Sequence, residues 1–535
     1  MPKIRQPDVK SGMMTGMLAE LPPLIQALLD AARYPHAVER VELVQTHISW
    51  VLLAGDFAYK IKKPVKLSFL DFSTLALRET YCQEELRLNR RFAPDLYLDV
   101  VGIFNTPQDP QWRGSGAPIE YAVKMHRFDE SARLDHVCAR GDLQARHLSA
   151  LADAVVAFHQ TAAVAPKASY FGSGKHILQP ALDNFTDLLR LLPDPAWQAR
   201  LTALGDWTQT QFEQLAPLMQ ARQQAGWVRE CHGDLHLANM VLINGRVQLF
   251  DCIEFNEDLR WMDVASEIAF VYIDLLAHRK PGLADCLLDE VLSRSGDYEA
   301  ARVLRFYAVY RAMVRAKVAA LRWAQTRGDT GEIEAYVALA EKLLAPPPPR
   351  LVITHGLSGC GKTVASEVLL QADPQASTLR LRSDVQRKRL FGLAPGAASG
   401  SGVGGGIYAA DAHQRTYAHL LEQAAMLLRA GWSVVVDAAF LKRADRDAFH
   451  GLAQQMGAGF SILAPQASPG QLRQRIVARS AAGHDASEAT LAVLAQQMQV
   501  IEPLAPDEMG LICASPDCAS LHPGYKWTNF ADRYL

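Results

Sequence analysis

The sequence has few cysteines, almost no net charge and few long hydrophobic runs. Its 535 residues include eight cysteines, none of which forms a CxxC pair or joins histidines at the spacing of a zinc site. We therefore interpret the cysteines as reduced thiols of a cytosolic protein. The 55 basic and 57 acidic side chains give a formal net charge of −2. Nucleic acid or an anionic membrane would thus have to be attracted by a local site, because the chain as a whole is nearly neutral.

A hydrophobic run long enough to cross a membrane is also lacking. The N-terminal segment contains no sustained apolar stretch, and the most apolar later segment, IAFVYIDLLA, is short and interrupted by Asp274. We predict a cytoplasmic protein with no membrane partner. At about 100 to 200 residues per domain, the length predicts two to four domains.

Four consecutive prolines at positions 346–349 mark the clearest change in character along the chain. Prolines cannot continue a helix, and a run of them makes a stiff extended spacer. The residues before them have helical apolar spacing, whereas LVITHG after them is typical of a short buried strand. We predict domains at 1–345 and 346–510, with a C-terminal tail of unknown role at 511–535.

The part before the prolines has two kinds of pattern. Residues 41–72 and 97–128 carry strand-like runs around the helical segment LRETYCQEELRLNRRF, and most of the chain beyond 140 is helical in pattern. The sequence therefore predicts a small β-rich lobe followed by a larger helical lobe.

The segment VRECHGDLHLANMVLINGRVQLFDCIEF, at 228–255, carries the strongest chemical signal of this part. Phosphoryl transfer needs a carboxylate near the attacking hydroxyl and oxygen ligands for Mg²⁺. Asp234, then Asn239 five positions later, and Asp251 at the end of a strand supply these groups. The dipeptide Asn244-Gly245 predicts a tight hairpin turn that returns Asp251 towards the loop.

The motifs HGDLHLAN and FDCIEF resemble the aminoglycoside phosphotransferase family, a branch of the protein-kinase-like fold. The resemblance implies that Asp234 is the catalytic base, that Asn239 and Asp251 bind Mg²⁺, and that His232 supports the loop. The chain departs from protein kinases in reading Asp-Cys-Ile, from Asp251, in place of Asp-Phe-Gly.

This fold also needs a strand lysine that binds phosphates and a helical glutamate that pairs with it. The run FAYKIKKPV offers Lys60, with Lys62 as the alternative on the same strand face. The helical partner is Glu84 or Glu85, and we favour Glu85. A GxGxxG loop does not precede the lysine. The strand-like segment at 120–128 is either the hinge that binds adenine or an ordinary core strand.

After the prolines, GLSGCGKT at 356–363 satisfies the full GxxxxGK[ST] pattern, with a buried strand before it and an amphipathic helix after it. Backbone N–H groups at such a helix start can surround a β-phosphate. Lys362 would contact the β- and γ-phosphates and Thr363 the Mg²⁺. Asp437, at the end of the apolar strand GWSVVVD, either holds Mg²⁺ through water or caps a helix. The predicted nucleotide contacts are Gly356, Ser358, Gly359, Cys360, Gly361, Lys362 and Thr363.

Two further clusters favour a kinase over a general ATPase. Asp384 and Arg387 have a D-x-x-R spacing that aims an acid and a base from one helical turn into one cleft. The acid could deprotonate an acceptor hydroxyl, and the arginine could neutralise a phosphate. Arg475 and Arg479 share a helical face and are either lid arginines or a solvated basic surface. The Gly- and Ser-rich stretch at 392–408 predicts a mobile loop, either a surface insertion or a substrate lid.

Residues 350–505 resemble the small-molecule and polynucleotide P-loop kinases, through GLSGCGKT, SDVQRKR and VVVDAAF. In polynucleotide kinases, an acid and an arginine that correspond to Asp384 and Arg387 lie at the acceptor phosphate. The whole chain resembles a fusion of an aminoglycoside phosphotransferase-like domain with a P-loop kinase-like, AAA-type ATPase domain. The expected fold is an α+β kinase-like bilobal domain followed by an α/β P-loop domain with a mainly parallel sheet.

The primary hypothesis is an ATP-dependent phosphotransferase with two nucleotide sites, which uses ATP and Mg²⁺ and transfers phosphate to a hydroxyl of a small molecule. One alternative is an ATP-binding regulator in which the P-loop domain is an ATPase switch. Another is a polynucleotide 5′-kinase, which the near-neutral charge disfavours because nucleic-acid affinity comes largely from clustered cations. The sequence indicates neither the acceptor nor the oligomeric state.

Overall fold

The computed structural model describes residues 21–513, apart from 68–69, 403 and 483–485. Most of the predicted tail therefore lies outside the described residues. The chain divides into two units, which are Met1–Asp129 with Phe250–Asn256, and Glu130–Leu249 with Glu257–Leu535. Each unit is described by itself below.

The first unit is built on a six-stranded antiparallel sheet. Its strands are β1 (Val41–Gln45), β2 (Ser49–Ala54), β3 (Phe57–Lys62), β6 (Tyr97–Thr106), β7 (Asp109–Gln111) and β8 (Glu120–His126), in the order β1-β2-β3-β8-β6-β7. A short hairpin of β4 (Lys66–Leu67) and β5 (Leu70–Asp71) and the helices α1 (Pro23–Leu28) and α2 (Leu75–Asn89) complete the unit.

Strand alternation in β3 decides which side chains reach which face of this sheet. Tyr59 and Ile61 pack with α1 in one core cluster, so Lys60 and Lys62 point to the opposite face. Helix α2 covers that second face through a cluster that includes Cys82, Leu86 and Val123. Thr74 begins α2, because its hydroxyl accepts a hydrogen bond from the N–H of Leu77. Both lysines are thus directed towards the helix that carries Glu85.

The first half of the second unit is mainly helical, as the sequence predicted. Its helices are α3 (Leu134–Ala139), α4 (Ala145–Thr161), α5 (Gly174–Leu191), α6 (Pro195–Gln224), α7 (Val264–Ala277), α8 (Pro281–Ser295), α9 (Ala300–Thr326) and α10 (Gly331–Leu344). Its strands are β9 (Val228–Glu230), β10 (Met240–Ile243), β11 (Arg246–Leu249) and β12 (Trp261–Asp263). Strands β10 and β11 form a hairpin whose turn residues Asn244 and Gly245 both have positive φ, at 51° and 75°. A tight turn of this kind is the reason that Asn-Gly occurs there.

The second half of this unit is an α/β fold with a four-stranded parallel sheet. Its strands are β13 (Arg350–Thr354), β14 (Thr378–Arg382), β15 (Ser433–Asp437) and β16 (Gly459–Leu463), in the order β14-β15-β13-β16. Its helices are α11 (Lys362–Gln371), α12 (Ser383–Leu390), α13 (Ala410–Arg429), α14 (Arg443–Gln455), α15 (Pro469–Ala482), α16 (Leu491–Val500) and α17 (Pro506–Met509). Strand β15 is buried along its whole length, as a central strand covered on both faces should be. The predicted α+β part and the predicted α/β domain with a parallel sheet are both confirmed.

The helical half and the P-loop half of the second unit share a buried interface. The indole N–H of Trp432 donates to the carbonyl of Ala301 at 2.9 Å, and the hydroxyl of Tyr272 donates to the carbonyl of Ala376 at 2.7 Å. Arg380 on β14 forms a buried ion pair with Asp289 on α8. The prolines at 346–349 lie between α10 and β13. The domain boundary assigned to them stays a prediction.

Within the part of the chain that the structure describes, no helix has the combination of length and apolar character that a membrane span requires.

Candidate functional site

The loop between β13 and α11 has the backbone geometry of a phosphate-binding loop. Gly356, Gly359 and Gly361 have φ values of 142°, 86° and 104°, which side-chain-bearing residues rarely adopt. A Cβ atom at Gly359 would lie 2.9 Å from the carbonyl oxygen of Leu472 on α15. Glycine is therefore required both for the backbone conformation and for the close approach of the helix.

The two side chains at the start of α11 lie where the P-loop pattern requires them. The Nζ atom of Lys362 donates to the carbonyl oxygens of Gly356 and Leu357, each at 2.9 Å. The hydroxyl of Thr363 donates to Oδ2 of Asp437 at 2.8 Å. Parallel strands β13 and β15 are neighbours, so their carboxyl ends bring Thr363 and Asp437 together. A hydroxyl and a carboxylate are oxygen ligands of the kind that Mg²⁺ prefers, so this pair fits the ion.

Ser358 and Cys360 have different surroundings within the same loop. The backbone N–H of Ser358 donates to the side-chain oxygen of Gln497 on α16 at 2.8 Å. Cys360 is buried in a small apolar cluster with Leu472, Ile476 and Leu494. The side chain of Cys360 thus anchors the loop to α15, and its backbone alone is available for a nucleotide.

One of the two predicted lid arginines lies on the phosphate-binding loop. Arg475 on α15 donates from Nη1 to the carbonyl oxygens of Gly359 and Cys360, at 3.3 and 3.4 Å. Arg479, one turn later, donates to the carbonyl of Ala489 at 3.1 Å. The structure therefore brings Arg475 to the P-loop, whereas Arg479 ties α15 to the segment before α16.

Asp384 and Arg387 lie on the first turns of α12. Arg387 is buried, donates from Nη1 to the carbonyl of Ile407 at 3.1 Å, and lies 5.2 Å from the ring centre of Tyr408. Asp384 is partly exposed and electrostatically close to Tyr408. Burial first, and then the charge of Asp384, raise the pKa of the Tyr408 phenol. An acid and a buried arginine thus meet a tyrosine that follows the Gly-rich loop.

The Gly-rich loop is held in place by Glu488, a residue that the sequence analysis missed. Its carboxylate accepts from the backbone N–H of Ser399 at 2.7 Å and from the hydroxyl of Tyr408 at 3.4 Å, and it pairs with Lys388 at 3.1 Å. Lys388 is almost fully buried and also donates to the carbonyl of Pro395 at 3.2 Å. Glu488 lies about 90 positions from the loop, and no local pattern marks it as a partner.

In the first unit, two lysines share one buried glutamate. Lys60 Nζ lies 2.8 Å from Oε1 of Glu85 and 2.5 Å from Oδ1 of Asp251. Lys62 Nζ lies 2.6 Å from Oε2 of Glu85 and is also bonded to Glu254. Glu85 is thus the helical partner of both candidate lysines. Glu84, the other candidate, pairs with Arg87 on its own helix.

The backbone at Asp251 is strained and specifically held. Its φ of 64° is unusual for a residue other than glycine. The N–H of Asp251 donates to the hydroxyl of Tyr97 at 3.0 Å, and the N–H of Cys252 donates to Oδ1 of Asn89 at 2.9 Å. Both supporting residues belong to the first unit, and no sequence pattern indicated either of them.

The charge of Glu85 makes the stability of the first unit dependent on pH. Burial alone would raise the pKa of this carboxyl, but Lys60 and Lys62 outweigh burial and hold the pKa at about 2. Because this is below the unfolded value of about 4.3, ionised Glu85 stabilises the fold above pH 4.3, and the contribution is lost as the pH falls towards 2. We expect the melting temperature of Glu85→Gln to depend less on pH between 6 and 3 than that of the unaltered chain. Calorimetry at several pH values measures this.

Glu84→Gln is the matched control, because Glu84 is the adjacent residue and forms an ion pair with Arg87 at the surface of its own helix. It should retain the full pH dependence. Equal pH slopes for the unaltered chain and for Glu85→Gln would contradict this prediction.

The residues of the HGDLHLAN loop in the second unit are joined to each other. Asn239 Nδ2 donates to the backbone oxygen of Asp234 at 3.0 Å and lies 3.4 Å from Oδ2 of the same residue. His236 Nε2 lies 3.4 Å from Oδ2 of Asp234. Burial raises the pKa of Asp234, but His236 and Arg315 outweigh burial and hold the pKa below its ordinary value. Asp234 is therefore ionised at neutral pH, as a base must be.

Two acids on α7 hold the backbone of this loop. Glu267 accepts from the N–H groups of His232 and Gly233 and is bonded to His159 at 2.6 Å. Asp274 accepts from the N–H of Leu237 at 2.8 Å. Asp274 is the residue that interrupts the apolar run IAFVYIDLLA. Its charge inside a hydrophobic helix was the available signal, and its partner could not be read from the sequence.

Residues 351–504 match the family model described as an AAA domain. This match and the parallel sheet confirm the predicted AAA-type P-loop domain, which follows a part that contains both helices and strands. The P-loop pattern within this match indicates nucleotide binding. An uncharacterised protein of Mycobacterium tuberculosis strain H37Rv is 28% identical over 457 residues, a match that covers 85% of this chain and 89% of the relative. An uncharacterised protein of Mycobacterium bovis matches with the same figures.

The solved structures similar to this chain include several small-molecule kinases. A choline/ethanolamine kinase family protein from Mesorhizobium loti has a TM-score of 0.39 at 11% identity, and the match covers 61% of this chain and 96% of that one. The amicoumacin kinase hAmiN has a TM-score of 0.39 at 14% identity, with coverages of 60% and 91%. An aminoglycoside phosphotransferase from Alicyclobacillus acidocaldarius has a TM-score of 0.35 at 14% identity, with coverages of 58% and 91%.

Proposed function

We propose that this chain is an ATP-dependent phosphotransferase with two nucleotide sites, which transfers a phosphoryl group to a hydroxyl of a small molecule. The observation that carries the proposal is the hydrogen bond of 2.8 Å between Thr363 and Asp437, at the base of a glycine loop that also positions Lys362. This arrangement couples the two oxygen groups expected at Mg²⁺ to the lysine expected at the phosphates.

Each charged group of the P-loop site has a distinct task in this proposal. Lys362 exchanges its bonds to the loop carbonyls for bonds to the β- and γ-phosphates. Arg475, already on the loop backbone, adds positive charge where the transferred group carries negative charge. Thr363 and Asp437 would hold Mg²⁺, which neutralises charge on the phosphates when it is bound.

Asp384 is the proposed base for the acceptor. The acceptor hydroxyl gives its proton to the Asp384 carboxylate while its oxygen bonds to the γ-phosphorus. The bond from that phosphorus to the β–γ bridging oxygen breaks, and ADP leaves. Arg387 is buried beside Tyr408, and a fixed guanidinium there would orient a polar acceptor.

The second proposed nucleotide site rests on the sequence motifs and on local arrangements within each unit. In the first unit, the predicted phosphate-binding Lys60 pairs with its predicted helical partner Glu85 and with Asp251, which the resemblance assigns to Mg²⁺ binding. In the second unit, Asn239 supports Asp234, the assigned base. The lack of a GxGxxG loop favours the competing hypothesis, in which this part binds ATP only for regulation.

Transfer of labelled phosphate from ATP distinguishes these functions. The full chain is incubated with Mg²⁺, γ-labelled ATP and a panel of sugars, aminoglycosides, nucleosides and oligonucleotides with free 5′ ends. If the P-loop site phosphorylates an acceptor, Asp384→Asn should lower transfer to it by about 100-fold to 10,000-fold. MgATP binding should be unchanged, because the substitution removes only the base. Asp411→Asn, an exposed acid at the start of α13, is the matched control and should be as active as the unaltered chain.

Labelled oligonucleotide ends would identify a polynucleotide kinase. ATP hydrolysis with no labelled acceptor, equal in the unaltered chain and in Asp384→Asn, would refute the transferase and support an ATPase switch.

A further inference from the structure

A cavity of about 340 Å³ lies within the second unit, where α7, α9, α10 and the proline segment meet the P-loop half. Neither group of phosphate-handling motifs contributes a side chain to its lining. Its volume is at the lower end of the range for small-molecule sites. The cavity thus has the size of a ligand site in a place that the proposed function does not use.

The charged side chains that line this cavity are all cationic among the described residues. They are Arg279 after α7, Arg305 on α9 and Lys342 on α10. Arg305 donates to the carbonyl oxygens of Ala430 and Gly431, at 3.0 and 3.3 Å. These acceptors are neutral, and among the described residues none of the three cations has a carboxylate within ion-pair distance.

A partly buried guanidinium that has only neutral partners is energetically costly, because it has lost water without gaining an opposite charge. Burial accordingly lowers the pKa of Arg305. An anion bound there would offset this cost, and the two exposed cations at the same cavity would attract it, which makes the cavity selective for negative charge.

Most of the remaining wall is apolar, and part of it consists of rings. The rings of Tyr272 and Trp432 and the rings of Pro346 and Pro347 line it, and the guanidinium of Arg305 lies 5.3 Å from the Trp432 ring centre. Such surfaces bind planar carbon groups by stacking and burial. We propose that this cavity binds a small organic anion that carries a flat apolar group.

The same wall contains the bonds that join the two halves of the unit. Tyr272 binds Ala376, Trp432 binds Ala301, and Arg305 binds the backbone before β15. Helix α7, which supplies Tyr272, also supplies Glu267 and Asp274 to the catalytic loop. A ligand in the cavity would therefore contact the helix that supports Asp234, as an effector does.

The test uses the full chain and 8-anilinonaphthalene-1-sulfonate, a planar aromatic anion whose fluorescence rises in apolar sites. Saturating MgATP is present to block the nucleotide sites. The double variant Arg279→Gln/Lys342→Gln removes two exposed charges and should weaken binding of the probe at least tenfold. The uncharged analogue N-phenyl-1-naphthylamine should bind both proteins equally, because it lacks the sulfonate.

Arg302→Gln/Arg322→Gln is the control, since it removes two exposed charges from α9 outside the cavity. It should leave the affinity for the anion within twofold. Equal affinities in the cavity variant and this control would overturn the proposal. Melting temperatures of both variants show that the folded state is retained.

Discussion

Replacement of Lys362 by alanine should lower ATP turnover at the P-loop site by about 100-fold to 1,000-fold. The lysine is the cation that the loop presents to the β- and γ-phosphates, and removal of one preorganised charged donor costs a reaction of this kind about 3–4 kcal/mol. The fold should survive, because the bonds of the Lys362 side chain to other described residues are to two carbonyls of its own loop and to the thiol of Cys360. Turnover is measured as labelled phosphate released or transferred by the full chain.

A second nucleotide site would obscure this result, so the comparison is made in a chain that also carries Asp251→Asn. Lys442→Ala, at the residue before α14, is the control for loss of one positive charge from the same domain. It should retain turnover. If Lys362→Ala remained as active as Lys442→Ala in this background, the P-loop assignment would be wrong.

Replacement of Arg380 by alanine should destabilise the second unit by about 3–5 kcal/mol, because it leaves the carboxylate of Asp289 buried without a counter-charge. Two nitrogens of Arg380 contact the two oxygens of Asp289, at 2.6 and 3.2 Å, and both side chains are about 95% buried. Arg380 also donates to the carbonyl of Thr363 at 3.2 Å. A weaker affinity for MgATP should therefore accompany the fall in melting temperature.

The double variant Arg380→Met/Asp289→Leu separates loss of the pair from loss of one partner. It should recover most of the stability, because the unpaired charge is gone. Arg302→Ala breaks the exposed pair with Glu299 on α9 and should cost less than about 1 kcal/mol. Calorimetry of the three variants measures these differences. A loss from Arg380→Ala no larger than that from Arg302→Ala would show that the buried pair does not stabilise the interface.

The residues that the sequence located well are those whose partners follow from a motif and its flanking elements. Thr363 and Asp437 are 74 positions apart, but Asp437 ends the buried strand β15 and Thr363 lies at the start of the helix that follows β13. Parallel sheets bring such ends together. The pairing of Lys60 with Glu85 followed in the same way, from a strand lysine and the next helix. The hairpin at Asn244-Gly245 needed only local turn chemistry.

The residues that the sequence did not locate depend on tertiary packing. Glu267 and Glu488 bind backbone groups of distant loops, and no local spacing identifies the partner of a carboxylate. Lys62 is bonded to Glu254 as well as to Glu85. Strand periodicity therefore could not decide which of the two lysines pairs with the helical glutamate, because both do. The same holds for Arg380, which appears in the sequence as an ordinary charge in a short strand.

The buried interface between α8 and β14 has an evolutionary consequence. Boundaries between domains usually fall in exposed linkers, often rich in proline, that few contacts cross. Here Asp289 precedes the prolines and Arg380 follows them, and each would be left as an isolated buried charge beside a foreign partner. A mutation at one position should therefore be tolerated best with a compensating change at the other. We expect relatives of this chain to vary at these two positions together, because the sequence of each half is constrained by that of its neighbour.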